Sequence, residues 1–491
     1  MRLEYVRDFP SVELLARRLS CAIPLVILLV TIALHFGLVD MGQWAYDEFS
    51  IISSYRDNGW TAFSDRLIGW SPRPISELLI WAYACLVNWT HKPLIGVFLG
   101  LLWLTLISVP LISFFQIREK FSVDSRRFLS FFTFGLVAFF LLGHGPGALF
   151  YSPVVAAAYL TTLSAITLCF LQLALSLTEH RGGRIIAALS LIFAAASSET
   201  GAFFVVVFGC LSLTCMFVDK FRDSVYQREF LWCLLPTLTG IGVFVLLIRN
   251  RVRGQEALFA TAEYHNLYMS LKTGLGETVK EYLVNGQRLS TRGVFLGLLL
   301  KACFFLGVRY CWLSSGIKVP RRQVLMVFAL SIVATTYFSV AASYYGYGGL
   351  TNPWHQELRQ CLVMLFIATV ALFSCHYHVP FCDLRRTEWL GGIFVFIALI
   401  LVVPGRFDAL IHDYRNYPVC IENRNKSWNS GLSDGNAMIW LSSPKGQVAN
   451  TLLFTPGIYN LESKAPGVLD IMHFFRKERL EICPYLAINR H

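Results

Sequence analysis

Long apolar runs separated by short polar connections dominate the chain from residue 21 to residue 404. Runs of this kind match the roughly 20 helical residues needed to cross a hydrocarbon layer about 30 Å thick. The pattern therefore predicts an all-α polytopic membrane bundle. We expect eleven spans, approximately at 21–39, 94–115, 128–142, 154–177, 185–198, 202–218, 231–249, 294–312, 324–343, 361–378 and 389–404.

Polar segments between and after these runs are predicted to lie outside the membrane. The outer loops are 40–74, 250–293 and 344–360. Residues 405–491 contain Asn, Gly, Pro and Ser clusters that are typical of turns. We therefore expect a transmembrane domain of residues 1–404 followed by a small outer domain of residues 405–491, either α+β or mostly β.

Lys and Arg are distributed unevenly between alternate connections. The first 20 residues and the connections at 116–127, 179–184, 219–230, 313–323 and 379–388 hold 18 of them, whereas those at 143–153, 199–201 and 344–360 hold only Arg359. Because cytoplasmic loops carry an excess of Lys and Arg, the N terminus is predicted to be cytoplasmic and the C terminus to lie outside. This orientation requires an odd number of crossings between 75 and 115. We therefore interpret the short apolar segment 75–90 as a helix at the interface or re-entering the membrane.

Composition and charge exclude several classes of protein. Of the 491 residues, 55% are hydrophobic and 15% charged, with a mean hydropathy of +0.54. Soluble proteins average about 25% charged residues, so a soluble, disordered or fibrous chain is excluded. The formal charge is +11, but the chain has no nucleic-acid-binding motif. The excess is explained by orientation in a membrane, and no nucleic-acid partner is expected.

An adjacent pair of acids, Asp47 and Glu48, follows the first predicted span and lies among aromatic residues. The same loop ends in Pro72-Arg73-Pro74, where the prolines stiffen the approach to the next helix. The pair is either a solvated acidic patch or a candidate for catalysis or metal binding. Arg73 is a candidate phosphate ligand.

Four further ionisable residues are candidates for function. Glu199 lies between two short apolar runs near the membrane surface, where such residues are usually functional or ion-paired, although it could simply cap a helix. His355 and Arg359 are four residues apart and share one helix face, and Arg suits phosphate, or anchors a helix at lipid headgroups. Lys301 lies inside span 294–312 and needs a partner, either a lipid phosphate or a structural ion pair.

The charge rule places the acids Asp47, Glu48 and Glu199 on the same side of the membrane as His355 and Arg359. An acceptor hydroxyl needs a carboxylate to take its proton. A departing lipid phosphate needs a fixed cation to hold its charge. We therefore predict that these side chains gather in one outer cavity suited to transfer from a lipid-phosphate donor.

The layout resembles the GT-C superfamily of membrane glycosyltransferases, and within it the bacterial enzymes that add glucose or a related sugar to O-antigen. The shared features are a cytoplasmic N terminus, an outer C-terminal domain and three short motifs, Asp47-Glu48, Arg73-Pro74 and Ser197-Ser198-Glu199. The resemblance covers the architecture of nearly the whole chain.

The resemblance implies a polyprenyl-phosphate-linked sugar donor, a glycan acceptor and chemistry on the periplasmic side of the bacterial inner membrane. It implies that Asp47, with Glu48, acts as base or metal ligand, and that Arg359 or Arg73 holds the donor phosphate. Some members require a divalent metal such as Mg or Mn, but this chain lacks the Asp-x-Asp typical of that branch. Enzymes that make and flip the donor are the expected partners, besides membrane lipids.

Two other classes remain open. An O-antigen polymerase or ligase depends on outer-loop Arg and His more than on an early acidic pair. A transporter or flippase for a lipid-linked sugar has ionisable residues along the middle of the membrane, where Lys301 lies.

The C-terminal segment contains two cysteines, Cys420 and Cys483. If the segment is periplasmic, it lies in an oxidising compartment. A disulfide between them is therefore one hypothesis, and two buried thiols are the other.

Overall fold

A computed structural model describes residues 25–44, 46–70, 72–117, 123–143, 147–217, 231–251, 263–283, 291–315, 317–350, 353–377, 384–441 and 466–483. Its helices in chain order are α1 (25–36), α2 (Tyr46–Asn58), α3 (Trp60–Gly69), α4 (Pro74–Thr90), α5 (Ile95–Ile117), α6 (Val123–Gly143), α7 (Ala148–Tyr151), α8 (Pro153–Ala174), α9 (Arg181–Ser197), α10 (Glu199–Phe217), α11 (Leu234–Arg251), α12 (Leu267–Leu283), α13 (Thr291–Ser315), α14 (Arg322–Tyr347), α15 (Pro353–Ser374), α16 (Leu384–Leu432) and α17 (Pro466–Phe475). The strands are β1 (Ala437–Leu441) and β2 (Arg479–Cys483).

Each predicted apolar run contains a helix within its described residues, and the prediction of a helical bundle is confirmed. Five helices within the described ranges are long and apolar enough to cross a membrane: Ile95–Gln116, Pro153–Ala174, Val294–Leu313, Arg322–Tyr347 and Trp354–Ser374. Four shorter apolar helices lie at Leu25–Met41, Phe131–Gly143, Glu199–Cys215 and Leu231–Leu247. The structure is thus compatible with a membrane protein. The number of spans stays a prediction.

The connections that the charge rule assigned to one side lie together at one end of the bundle, here named the loop end. Three polar contacts join them: Ser152 Oγ to Glu48 Oε1 at 2.7 Å, Arg73 Nε to Glu199 Oε1 at 3.7 Å, and the Leu149 N–H to Glu357 Oε2 at 2.8 Å. At the end of predicted span 361–378, the His376 ring lies 2.7 Å from the carbonyl of Pro320 in the basic connection 313–323. The low-charge connections therefore meet at one end of the bundle.

The first outer loop is helical. Helices α2 and α3 occupy most of residues 46–69, and α4 begins at Pro74, as the stiffening prolines suggested. Proline at the first helical position costs no hydrogen bond, because that N–H has no partner inside the helix. Helix α4 accounts for the short apolar segment 75–90, and it is not among the described helices long enough to span.

The C-terminal segment is built on one long helix. Helix α16 continues through residue 404, where we expected two domains to meet, and ends at Leu432. Strands β1 and β2 then pair in parallel, with Ala437 beside Arg479, and α17 precedes β2 in the chain. The prediction of a small C-terminal part that contains strands is confirmed.

An aromatic cluster joins the C-terminal segment to the first outer loop. The ring centroid of Trp44 lies 5.1 Å from that of Trp428 and 5.4 Å from that of Phe474, and Phe49 lies 5.7 Å from Phe474. Edge-to-face pairs of this kind contribute about 0.5–1.5 kcal/mol each beyond their buried area. Arg424 adds hydrogen bonds to the backbone carbonyls of the same loop. The two segments therefore pack as one layer over the loop end.

The predicted disulfide remains a prediction. Cys420 is buried in α16. Cys483 closes β2, and its side chain lies outside the described residues.

Asp413 gives the fold a pH dependence that can be measured. It lies in α16 beyond the predicted span 389–404, it is only 5% exposed, and burial raises its pKa to about 7. The native state thus binds a proton that the unfolded chain releases near pH 4, so stability falls as the pH rises from about 4 to 7. We expect Asp413→Asn to raise the melting temperature by a few degrees at pH 8 and by much less at pH 5.

Differential scanning fluorimetry of the purified protein in detergent checks this expectation. His412 Nδ1 lies 4.0 Å from Asp413 Oδ1, so His412→Gln is the matched control. An equal gain at both pH values, or a gain reproduced by the control, contradicts the assignment to Asp413.

Candidate functional site

A cavity of about 680 Å³, including its open mouth, lies at the loop end between α10, α11, α14 and α15. One part of its wall is polar and another is apolar. The polar lining includes Glu199, His355 and Arg359, and the apolar lining includes Phe203 and Phe244. Three of the predicted site residues, from two distant parts of the sequence, therefore share this cavity.

Glu199 is positioned by a break between two consecutive helices. Helix α9 ends at Ser197, Ser198 has an extended backbone, and Glu199 is the first residue of α10. Ser198 Oγ accepts a hydrogen bond from the Gly201 N–H at 3.0 Å, which is the usual geometry of a helix N-cap. The Ser-Ser-Glu motif therefore starts a helix and places a carboxylate in its first turn, where the helix dipole favours negative charge.

Arg73 is the cation beside Glu199. Its Nε lies 3.7 Å from Glu199 Oε1. Burial alone lowers the pKa of Arg73, but the charges of Glu199, Tyr159 and Glu77 raise it above its usual value. The guanidinium therefore stays charged next to the cavity.

A second ion pair, between Arg66 and Glu77, lies near Arg73. Arg66 donates to both carboxylate oxygens of Glu77, at 2.9 and 3.0 Å, and Tyr55 donates to one of them at 2.7 Å. Although burial raises the pKa of Glu77, the hydrogen bonds from Arg66 hold it below its usual value. This buried, ionised carboxylate fixes the start of α4 and so the position of Arg73.

His355 contacts an aromatic residue of α8. The Tyr159 hydroxyl lies 3.3 Å from His355 Nε2, and the two rings meet edge to face with centroids 5.1 Å apart. Because Tyr159 also contributes to the charge environment of Arg73, it lies between the two sides of the site. Sequence reasoning missed Tyr159, which is one tyrosine inside a long apolar run.

Arg359 is paired inside the protein. It is 2% exposed, and it donates from Nε and from Nη2 to the carboxylate of Glu281 at 2.7–2.9 Å. Glu281 lies in α12, within the segment that we expected to be a polar loop. The guanidinium therefore lies in the cavity wall with its orientation set by Glu281.

Lys301 lies on the other side of Glu281 and is not among the cavity-lining residues. Its ammonium group donates to the backbone carbonyls of Tyr282 at 2.8 Å and Glu281 at 3.3 Å, and Gln360 donates to the Glu281 carbonyl at 2.9 Å. Carbonyls at a helix C terminus lack partners inside the helix. The partner of Lys301 is therefore the end of α12, which fits its structural interpretation.

The early acidic pair is placed differently. Glu48 is 1% exposed, and its Oε1 accepts hydrogen bonds from Ser152 Oγ and the Val154 N–H at 2.7 and 3.1 Å. It therefore caps the start of α8, and it is not among the residues that line the described cavity. Asp47 lies in α2, and its side chain is outside the described residues.

Among the described residues, no group of three or more His, Cys, Asp or Glu side chains has an arrangement that holds a metal ion. The Asp47 side chain falls outside that comparison. Neither a protein-family model, nor a curated protein, nor a solved structure matches the chain.

Proposed function

We propose that the chain is an integral-membrane glycosyltransferase. It would move a sugar, such as glucose or another hexose, from a polyprenyl-phosphate donor to a cell-surface glycan such as O-antigen. The observation that carries this proposal is the cavity at the loop end, where Glu199, His355 and Arg359 line one space and Arg73 pairs with Glu199. A carboxylate and fixed cations are what such a transfer needs.

Glu199, Arg73 and Arg359 each have a role in the proposed reaction. The acceptor hydroxyl oxygen attacks the anomeric carbon while its proton passes to the Glu199 carboxylate. The bond between that carbon and the phosphate oxygen breaks, and the electron pair leaves with the polyprenyl phosphate. Arg73 and Arg359 stabilise the charge that develops on the phosphate.

The same proposal places the chain in a bacterial inner membrane with the loop end facing the periplasm. Two observations support it. The short loop-end connections 143–153, 199–201 and 344–360 contain only one Lys or Arg, Arg359, and contacts join these connections to each other and to the first outer loop. Eleven spans, with the N terminus inside and the C terminus outside, are consistent with this arrangement.

An O-antigen polymerase or ligase is the second candidate, and a specific observation favours it. Glu48 is occupied as a helix cap, whereas His355 and Arg359 line the cavity. An enzyme that depends on His and Arg fits a cavity lined by His355 and Arg359 but not by Glu48. It would transfer whole glycan repeats instead of a single sugar.

The experiment that tests the proposal is mass analysis of the cell-surface polysaccharide with and without the gene for this chain. We expect loss of one hexose per repeat unit on deletion and its return on complementation. Loss of chain length with an unchanged repeat unit favours the polymerase or ligase. An unchanged polysaccharide excludes both.

A further inference from the structure

Helix α12 has its polar and apolar faces reversed relative to a helix in a soluble protein. The residues packed against the bundle are small or polar: Ser270, Gly274, Thr278 and Glu281. Five of the residues that point away from it are apolar and 48–72% exposed: Leu267, Tyr268, Leu275, Val279 and Leu283. The other exposed residues are Lys272, Gly276 and Lys280. An exposed apolar stripe of this length indicates a partner surface that is itself apolar.

The contacts of α12 place it beside a helix that is long and apolar enough to cross the membrane. Just before α12 begins, the His265 N–H donates to the Tyr345 carbonyl near the loop end of α14. At its other end, the Tyr282 hydroxyl lies 3.3 Å from Thr336 Oγ1. The nine residues between 336 and 345 correspond to about 14 Å along α14. Helix α12 therefore descends from the loop end into the bundle.

Contacts with α13 and α15 give a similar depth for the C-terminal end of α12. Lys301, which bonds to the last carbonyls of α12, lies ten residues after the start of α13, or about 15 Å along its axis. Arg359, which bonds to Glu281, lies six residues after the start of α15, or about 9 Å along its axis. Half of a hydrocarbon core is about 15 Å, so the end of α12 reaches well into one leaflet.

The polar groups at this depth are those that a helix ending inside a membrane requires. Unpaired backbone carbonyls are costly in lipid, and a helix end is tolerated there only where protein groups bind it. Lys301 and Gln360 donate to the Glu281 and Tyr282 carbonyls, and the Glu281 carboxylate is neutralised by Arg359. On the outer surface, Lys272 has a long side chain that can reach the headgroups from a buried helix, and the Lys280 ammonium group pairs with the Glu277 carboxylate.

We propose that α12 is a re-entrant helix whose apolar face, formed by Leu267, Leu275 and Val279 with their exposed neighbours, contacts the acyl chains of the loop-end leaflet. Glu281 ties this lipid-facing helix to Arg359 in the cavity wall. The proposal does not depend on the reaction that the cavity carries out. It assigns a membrane surface to a segment whose sequence suggests a polar loop.

Photo-crosslinking in liposomes tests this assignment. The full chain is made with benzoylphenylalanine in place of Leu275 or Val279, reconstituted with phosphatidylcholine and phosphatidylglycerol carrying tritiated acyl chains, and irradiated. Leu101 of α5, which is 58% exposed within a candidate span, is the positive control position. Lys426, which pairs with Glu422 on the surface of α16, is the aqueous control position.

We expect both α12 positions to transfer label to the protein at a level close to that of Leu101 and several-fold above that of Lys426. Label at the Lys426 level overturns the proposal, as does a crosslinked dimer, which would show that a second copy covers the face. A diazirine-bearing phosphatidylcholine applied to the unmodified protein gives a second test that needs no variant. Peptides from residues 267–283 should carry the lipid adduct, and their lack of it would also overturn the proposal.

Discussion

The single variants Arg359→Leu and Glu281→Leu are each expected to lower the free energy of unfolding by about 3–5 kcal/mol. Each leaves one charged group buried without its partner, since the two residues are 2% and 4% exposed. The double variant removes both charges and leaves two apolar side chains in their place. We expect it to recover most of the lost stability, because well-packed apolar residues often replace a buried ion pair at little cost.

Unfolding of the four proteins in mixed micelles, followed by circular dichroism, gives the coupling between the two residues. Lys426 and Glu422 form an exposed ion pair on α16, with 2.7 Å between Nζ and Oε1, and their leucine variants are the control. Exposed pairs contribute about 0–1 kcal/mol. The control double-mutant cycle should therefore give a coupling free energy close to zero. Small, additive losses at Arg359 and Glu281 would contradict a buried, coupled pair.

The Glu199→Gln variant is expected to lower the rate of the proposed sugar transfer by about 10²–10⁴-fold. Glutamine preserves the size of the side chain but accepts a proton far less readily, and general-base catalysis contributes a factor of this size. The helix break at Ser198 should persist, because its cap depends on the serine hydroxyl. The variant should therefore fold and bind the donor lipid while turning over slowly.

The measurement is transfer of radiolabelled glucose from a polyprenyl-phosphate donor in liposomes to purified acceptor glycan. Glu277→Gln is the matched control, because Glu277 is a carboxylate of α12 that does not line the cavity. Rates close to wild type in Glu199→Gln would remove Glu199 as the base. A large loss in Asp47→Asn under the same conditions would then assign the role to the first loop.

Much of the arrangement follows from sequence patterns that have a direct physical cause. Apolar run length predicts helices because a backbone in hydrocarbon must satisfy its own hydrogen bonds, and the uneven distribution of Lys and Arg grouped the low-charge connections that meet at the loop end. That grouping is why Glu199, His355 and Arg359 were expected together, and they line one cavity. The positions of single acids were harder to predict.

Glu48 and Glu281 show why the positions of single acids are harder to predict from the sequence. Glu48 has the sequence context of a catalytic acid, but a carboxylate near the start of a helix is equally suited to bind free backbone N–H groups, and only the fold brings Val154 to it. Glu281 has the context of a surface residue, four positions after Glu277. The signal that was missed is the spacing of Ser270, Gly274, Thr278 and Glu281, which forms one small or polar face opposite the apolar residues Tyr268, Leu275 and Val279.

The aromatic cluster also determines when the outer layer is completed. Trp44 and Phe49 leave the ribosome about 380 to 430 residues before Trp428 and Phe474. At about 5–20 residues per second, the delay is on the order of tens of seconds. Throughout that interval, the aromatic rings of the first loop have yet to meet their final neighbours on α16 and α17.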